Sequence, residues 1–144
     1  MGAEVCMALT KAGIGQSTYV AIGGDLLIGS EFTDLLPLFQ MDPETRVVFL
    51  FGEPGTGREE AAADLIARGT FTKPVVAFIT GEFLEALPPG AQFGHTGALI
   101  EGNRGRPSWK KQVLRNAGVH VADDLDDIVP LVRGALLQRQ NSTR

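Results

Sequence analysis

Residues 46–53, Arg46-Val47-Val48-Phe49-Leu50-Phe51-Gly52-Glu53, decide how the rest of the chain is read. Unbroken apolar residues, β-branched and aromatic among them, run from Val47 to Phe51 and stop at a glycine. A strand with one wet face alternates apolar and polar side chains. A continuous run belongs to a strand covered on both faces, as in a parallel sheet. Pro74 to Thr80 repeats the pattern and stops at Gly81. Residues 17–22, Ser-Thr-Tyr-Val-Ala-Ile, read as another buried strand ending at Gly23-Gly24-Asp25, and Val119 to Val121 as a short last one. Helices are expected at 3–12, at 30–39 with Ser30 as cap, at 58–68, and at 108–117 with Ser108 as cap and Gly118 as stop. A last helix follows Asp123-Asp124, with Pro130 in its first turn.

Strands alternating with helices give an α/β class, a flavodoxin-like three-layer doubly wound parallel sheet. Such a sheet normally opens with a strand, whereas this sequence opens with a helix. The usual first strand is therefore expected to be lacking, with the chain a fragment or its sheet rearranged or completed by another chain. The 144 residues suit a single domain, taken as 1–137, with 138–144 a frayed polar tail. The net charge of -4 argues against nonspecific nucleic-acid binding. A single cysteine excludes an internal disulfide and fits a cytoplasmic setting. No apolar run approaches the ~20 residues of a membrane helix. The start lacks the basic region of a signal peptide, and Gly2 is not in a myristoylation motif.

Doubly wound sheets bind ligands at the carboxyl ends of their strands. The turns Gly23-Gly24, Gly52-Glu53 and Gly81 should converge there, and the loop carrying Gly94-His95 leaves from the same edge. Topology thus draws Glu53 and His95 together. A carboxylate that accepts the imidazole N–H fixes the tautomer, aims the free nitrogen outward and stabilises positive charge on the ring during attack. Gly94 and Gly97 let backbone approach a bulky anion, and N–H groups there can hold phosphate oxygens. The structural alternative is a surface or capping histidine in a glycine-rich loop.

Other features carry less. Gly52-Glu-Pro-Gly-Thr-Gly57-Arg58-Glu59 has the spacing of a Walker A loop, but Arg58 replaces its lysine and Glu59 its hydroxyl. Glu59 and Glu60 would also repel phosphate. Gly13-Ile-Gly15 lacks the third glycine of a dinucleotide fingerprint. Cys6 reads as core, His120 as structural, and Trp109 and Val113 as a packed helical pair. No Cys/His cluster has zinc spacing, and Asp123, Asp124, Asp126 and Asp127 suit a helix start better than a metal. Arg104 and Arg106 are open between solvated loop charges and phosphate contacts.

At these residues the sequence resembles the C-terminal, ligase-type domain of the succinyl-CoA synthetase alpha subunit, over about Ala3 to Leu136. The matching pieces are Leu9-Thr-Lys-Ala-Gly-Ile-Gly-Gln-Ser-Thr18, Ile22-Gly-Gly-Asp25, Asp42-Pro-Glu-Thr45, Gly52-Glu53, Lys73-Pro-Val-Val-Ala-Phe-Ile79 and Gly94-His-Thr-Gly-Ala98. The resemblance implies that His95 is the family's phosphohistidine and Glu53 its partner, with Gly94, Thr96, Gly97, Gly23 and Gly24 lining the phosphate or substrate site. It implies an acid-CoA ligase acting in the cytoplasm in the tricarboxylic acid cycle. His95 would relay a phosphoryl group between nucleotide and acyl phosphate before CoA takes the acyl group. This domain alone would bind no cofactor. ATP or GTP with magnesium would come through an ATP-grasp beta subunit, and CoA through an N-terminal domain that this sequence lacks.

The sequence departs from the family in lacking the first strand and its Ser-Gly-Thr-Leu turn. It also carries Pro54-Gly-Thr-Gly57 and Gly102-Asn-Arg-Gly-Arg-Pro107 in place of the usual loops. Succinate is the default acid, with malate- or citrate-specific relatives as alternatives; Phe93 beside the histidine is compatible with citrate. A second class of reading is a non-catalytic interaction or regulatory domain that keeps the ligase fold.

Overall fold

The computed structural model describes residues 1–25, 27–86 and 103–142. Helix α1 spans Gly2–Lys11 and α2 spans Phe32–Met41. Strand β1 (Val48–Gly52) leads to α3 (Arg58–Ala67), then β2 (Val75–Ile79) and a 3-10 turn at Glu82–Ala86. Helix α4 (Pro107–Asn116), β3 (His120–Ala122), a 3-10 turn at Leu125–Asp127 and α5 (Ile128–Ser142) complete the order. The three strands form one parallel sheet, β1-β2-β3, with Val48 opposite Val75 and Val76 opposite His120.

The period-2 geometry of a strand divides its side chains between two faces, and both faces are covered. Leu50, Val75, Ala77 and Ile79 pack with Leu36 of α2, Ala62 and Ala63 of α3 and Leu114 of α4. Val76 and Ala122, flanked by Phe49 and Phe78, pack with Val5 and Leu9 of α1 and with Ile128, Val132 and Ala135 of α5. This is the doubly covered sheet that the unbroken apolar runs require.

Three local expectations need correction. Residues 17–22 form no strand, and 17–21 are exposed, Tyr19 at 59 % and Val20 at 43 %. A strand exists only with a hydrogen-bonding neighbour, and β1 is an edge of this sheet. Ser30 does not cap α2. Glu31 holds the cap position, and its N–H donates to Asp34 Oδ2 at 2.8 Å. Ser108 lies inside α4, which begins at Pro107. The orphan N–H of Ser108 and its hydroxyl both donate to Glu85, at 2.7 and 2.8 Å, so a carboxylate from the preceding 3-10 turn caps this helix. Helix α5 runs on to Ser142, through the first part of the polar tail. Trp109 is 37 % exposed, while its expected companion Val113 packs against the core.

Two carboxylates make the fold sensitive to acid. A hydrogen bond from Thr45 holds Asp42 below the usual value of 3.8, and one from Arg115 does the same for Asp123. The unfolded chain then takes up protons before the folded chain does. The stabilisation is complete above 3.8 and is lost as pH falls through the depressed folded-state values. The urea midpoint should drop on acidification below about pH 5, and the Asp42→Asn/Asp123→Asn variant should show a shallower acid slope. An unchanged slope would rule these carboxyls out as its source.

Candidate active site

The carboxyl end of β1 is built around Gly52 and Glu53. A side-chain carbon at Gly52 would collide with Ile79 and stand 2.8 Å from Glu59 Oε1, so only glycine lets the strand turn this close to α3. Both backbone groups of Glu53 are then fixed by buried charged side chains. Its N–H donates to Glu59 Oε1 at 3.1 Å, and its carbonyl accepts from Lys110 Nζ at 2.9 Å. Lys110 is wholly buried and pairs directly with Glu59 Oε2. Burial pushes the Glu59 carboxyl above its ordinary value, against the pull of Lys110. Glu60 completes the cluster: its Oε1 accepts from Gly105 N–H at 3.0 Å, and its Oε2 stands 3.9 Å from Lys110.

The loop after Glu53 is locked from the other side. Gly55 N–H donates to the Gly105 carbonyl at 2.8 Å, and the Arg104 side chain lies against Gly57. Thr56 holds a φ of 49°, a conformation that costs a β-branched residue on the order of 1–2 kcal/mol. That cost is tolerated where neighbours fix the backbone on both sides. Gly81, at the end of β2, packs its backbone on Pro54.

The Gly23-Gly24 turn is drawn to the same edge by Arg58, the first residue of α3. Its guanidinium donates to the carbonyls of Gly23 and Asp25. Gly23, Gly24 and Glu53 therefore line one cavity of about 580 Å³. The convergence of turns expected from topology is present for these residues. His95, Gly94, Thr96 and Gly97 lie outside the described residues, as does Phe93. The described residues on either side of the segment 87–102 are held by α4 and by the Glu53 loop. Before it, Glu82 pairs with Lys111 at 2.9 Å and Glu85 caps α4. After it, Arg104 and Gly105 grip the Glu53 loop.

Sequence reasoning missed the buried Lys110 and Lys111 and took Glu59 only as a reason against phosphate. One signal was available, since Lys110 lies one helical turn before the core residue Leu114. Among the described residues no group of three or more His, Cys, Asp or Glu side chains is placed to hold a metal ion. None of their helices is long and apolar enough to cross a membrane.

Residues 1–120 match the CoA-ligase family. The chain belongs to that family. An Archaeoglobus fulgidus succinate–CoA ligase (ADP-forming) alpha subunit is 50 % identical over 133 residues, which is 92 % of this chain and 44 % of the relative. An ADP-forming sulfoacetate-CoA ligase subunit from an Acholeplasma species is 44 % identical over 120 residues, 83 % of this chain and 40 % of that one. Among solved structures, the ATP citrate lyase of Methanothrix soehngenii, in complex with citrate and coenzyme A, superposes with a TM-score of 0.77 at 29 % identity. That match covers 84 % of this chain and 20 % of the lyase. This CoA-ligase chain thus spans less than half the length of the two ligase relatives. Its sheet agrees with the fold expected from the alternation of strands and helices.

Proposed function

We propose that this chain is the phosphohistidine-carrying part of an ADP-forming acid-CoA ligase, with His95 relaying a phosphoryl group between a nucleotide and an acyl phosphate. The observation that supports it most is the backbone of Glu53, held at both its N–H and its carbonyl at the carboxyl end of β1. A carboxylate on so rigid a mount can hold an imidazole in one tautomer at little cost in ordering. The accepting nitrogen attacks the γ-phosphorus in line, the bond to the leaving ADP oxygen breaks, and the ring N–H stays on the Glu53 side. Transfer to the acid's carboxylate breaks the P–N bond, regenerates the neutral ring and gives the acyl phosphate, from which the CoA thiol takes the acyl group with release of inorganic phosphate. Backbone N–H groups at Gly94, Thr96, Gly97, Gly23 and Gly24 hold the phosphoryl oxygens. Nucleotide and magnesium come from an ATP-grasp beta subunit, and CoA from a separate CoA-binding domain. Succinate is the acid we assign, on the likeness to the Archaeoglobus subunit. The likeness to a citrate-bound lyase makes citrate the second reading.

The test uses the chain assembled with a beta subunit and a CoA-binding domain of such a ligase, magnesium and γ-labelled ATP. An acid-labile, base-stable phosphate should appear within residues 87–102 and be discharged by succinate plus CoA. Phosphate of another lability, or in another segment, would overturn the relay. Discharge by citrate and not succinate would reassign the acid.

A further inference from the structure

Arg58 begins α3 and lines the cavity together with Glu53 and the Gly23-Gly24 turn. Its side chain is 11 % exposed. A cation in such a place can grip an anion directly, as the lysine of a Walker A loop does. Arg58 spends its donors otherwise. Nη1 donates to the Gly23 carbonyl at 3.3 Å and Nη2 to the Asp25 carbonyl at 2.5 Å. Nε faces Glu31 Oε1, at the start of α2, from 3.9 Å. The planar guanidinium fork thus holds two carbonyls of one turn at once, which a single ammonium does poorly.

The consequence follows from the geometry of the peptide unit. In a trans peptide the carbonyl and the following N–H point in opposite directions, and no peptide among the described residues is cis. With the Gly23 carbonyl drawn to Arg58, the Gly24 N–H is turned away from the guanidinium. That N–H has no acceptor among the described residues, and Gly24 lines the cavity. Gly23 takes a φ of 53°, a left-handed value that glycine adopts without a side-chain penalty. Carbonyl oxygens only accept hydrogen bonds, so a turn that showed them to the cavity would repel an anion. Taken up by Arg58, they leave the turn with a donor to offer. The next residue of α3, Glu59, holds the Glu53 N–H. Consecutive residues of one helical turn therefore fix two walls of the cavity, the Gly23-Gly24 turn and the Glu53 backbone.

We propose that Arg58 is a positioning residue: by occupying the Gly23 and Asp25 carbonyls it makes the Gly23-Gly24 turn a donor surface for a phosphoryl group. The identity of the anion rests on the phosphohistidine reading above; the orientation of the turn does not. Arg58 acts through the turn and does not itself touch the phosphoryl oxygens.

Titration of the 144-residue chain with inorganic phosphate, followed through its amide NMR signals, tests this in the parent, Arg58→Met and Arg58→Lys proteins. The Gly24 amide of the parent should shift and saturate. Both substitutions should weaken that response on the order of 10-fold, because the turn is no longer preorganised. Lysine should lose nearly as much as methionine, since it keeps the charge but not the fork. Unmoved amide signals in β1 and α4 certify that the fold survives, and the lysine protein decides the matter if the methionine protein does not fold. Full recovery by lysine would show that charge alone matters and would overturn the positioning role. A Gly24 amide that ignores phosphate in the parent would overturn the proposal outright. So would saturation by succinate at lower concentration than by phosphate, since the turn would then serve a carboxylate. In the assembled ligase, Arg58→Lys should slow labelling on the order of 10-fold without changing its final extent. A ligase that never labels, in a chain whose Gly24 amide still binds phosphate only when Arg58 is present, would sink the His95 relay and sustain the role of Arg58.

Discussion

Replacing His95 with asparagine should abolish the acid-labile label in the assembled ligase, and replacing Glu53 with glutamine should slow its appearance on the order of 100- to 10,000-fold. The two effects differ in kind. Asparagine has a ring-free amide with no nucleophilic nitrogen at neutral pH, so no phosphoramidate forms. Glutamine keeps the size of Glu53 but removes its charge, and its NH2 end donates where a carboxylate only accepts. The imidazole then favours the tautomer whose attacking nitrogen is protonated, and the positive charge developing on the ring loses its counterion. Rapid-quench measurement of the labelling rate, with the final extent recorded separately, distinguishes the roles. A Glu53→Gln protein that labels at the parental rate would remove Glu53 from the site, even with His95 confirmed as the acceptor.

The second large effect concerns stability. Lys110→Met should cost about 3–5 kcal/mol at neutral pH, the usual penalty for stranding a buried carboxylate without its cation. Lys110 is wholly buried, and both Glu59 and Glu60 depend on it. Adding Glu59→Gln should restore most of the loss, because a neutral amide can still accept from the Glu53 N–H without leaving a bare charge. The sign of the pH dependence is also set. Burial already raises the Glu59 carboxyl above its ordinary 4.5, and removing Lys110 raises it further. Between those values the folded Lys110→Met protein binds more protons than the unfolded one, so its stability deficit shrinks as pH falls through that window. Urea unfolding at neutral pH and near pH 5 checks both parts. A loss under about 1 kcal/mol, or one that the double variant leaves unrepaired, would mean that the ion pair does not hold this corner of the fold.

The central strands were readable because burial on both faces writes itself into consecutive apolar residues. Val48 to Gly52 and Val75 to Ile79 lie within a residue or two of the stretches marked by sequence. Residues 17–22 have the same apolar signature and yet form no strand, because pairing depends on a neighbour that no local pattern contains. Glu53 was legible as a strand-end carboxylate. What fixes it was harder to read: Lys110 is 57 residues away in sequence, and its spacing to Leu114 marks a buried helix face without naming the groups its ammonium meets. The expected cap of α4 failed for a related reason. Ser108 looked like a local cap, but the carboxylate that serves α4 arrives from Glu85, 23 residues earlier.

The residues that hold Glu53 sit on α3 and α4, whereas the Gly23-Gly24 turn proposed to meet the phosphoryl group lies outside any helix or strand. Changes that retune a loop toward a bulkier or differently charged acid therefore need not shift the Glu53 carboxylate. Lineages can diverge in diet while inheriting one unmoving fixture, and the persistence of a lysine and a glutamate at positions 110 and 59 should outlast that of any residue chosen for taste.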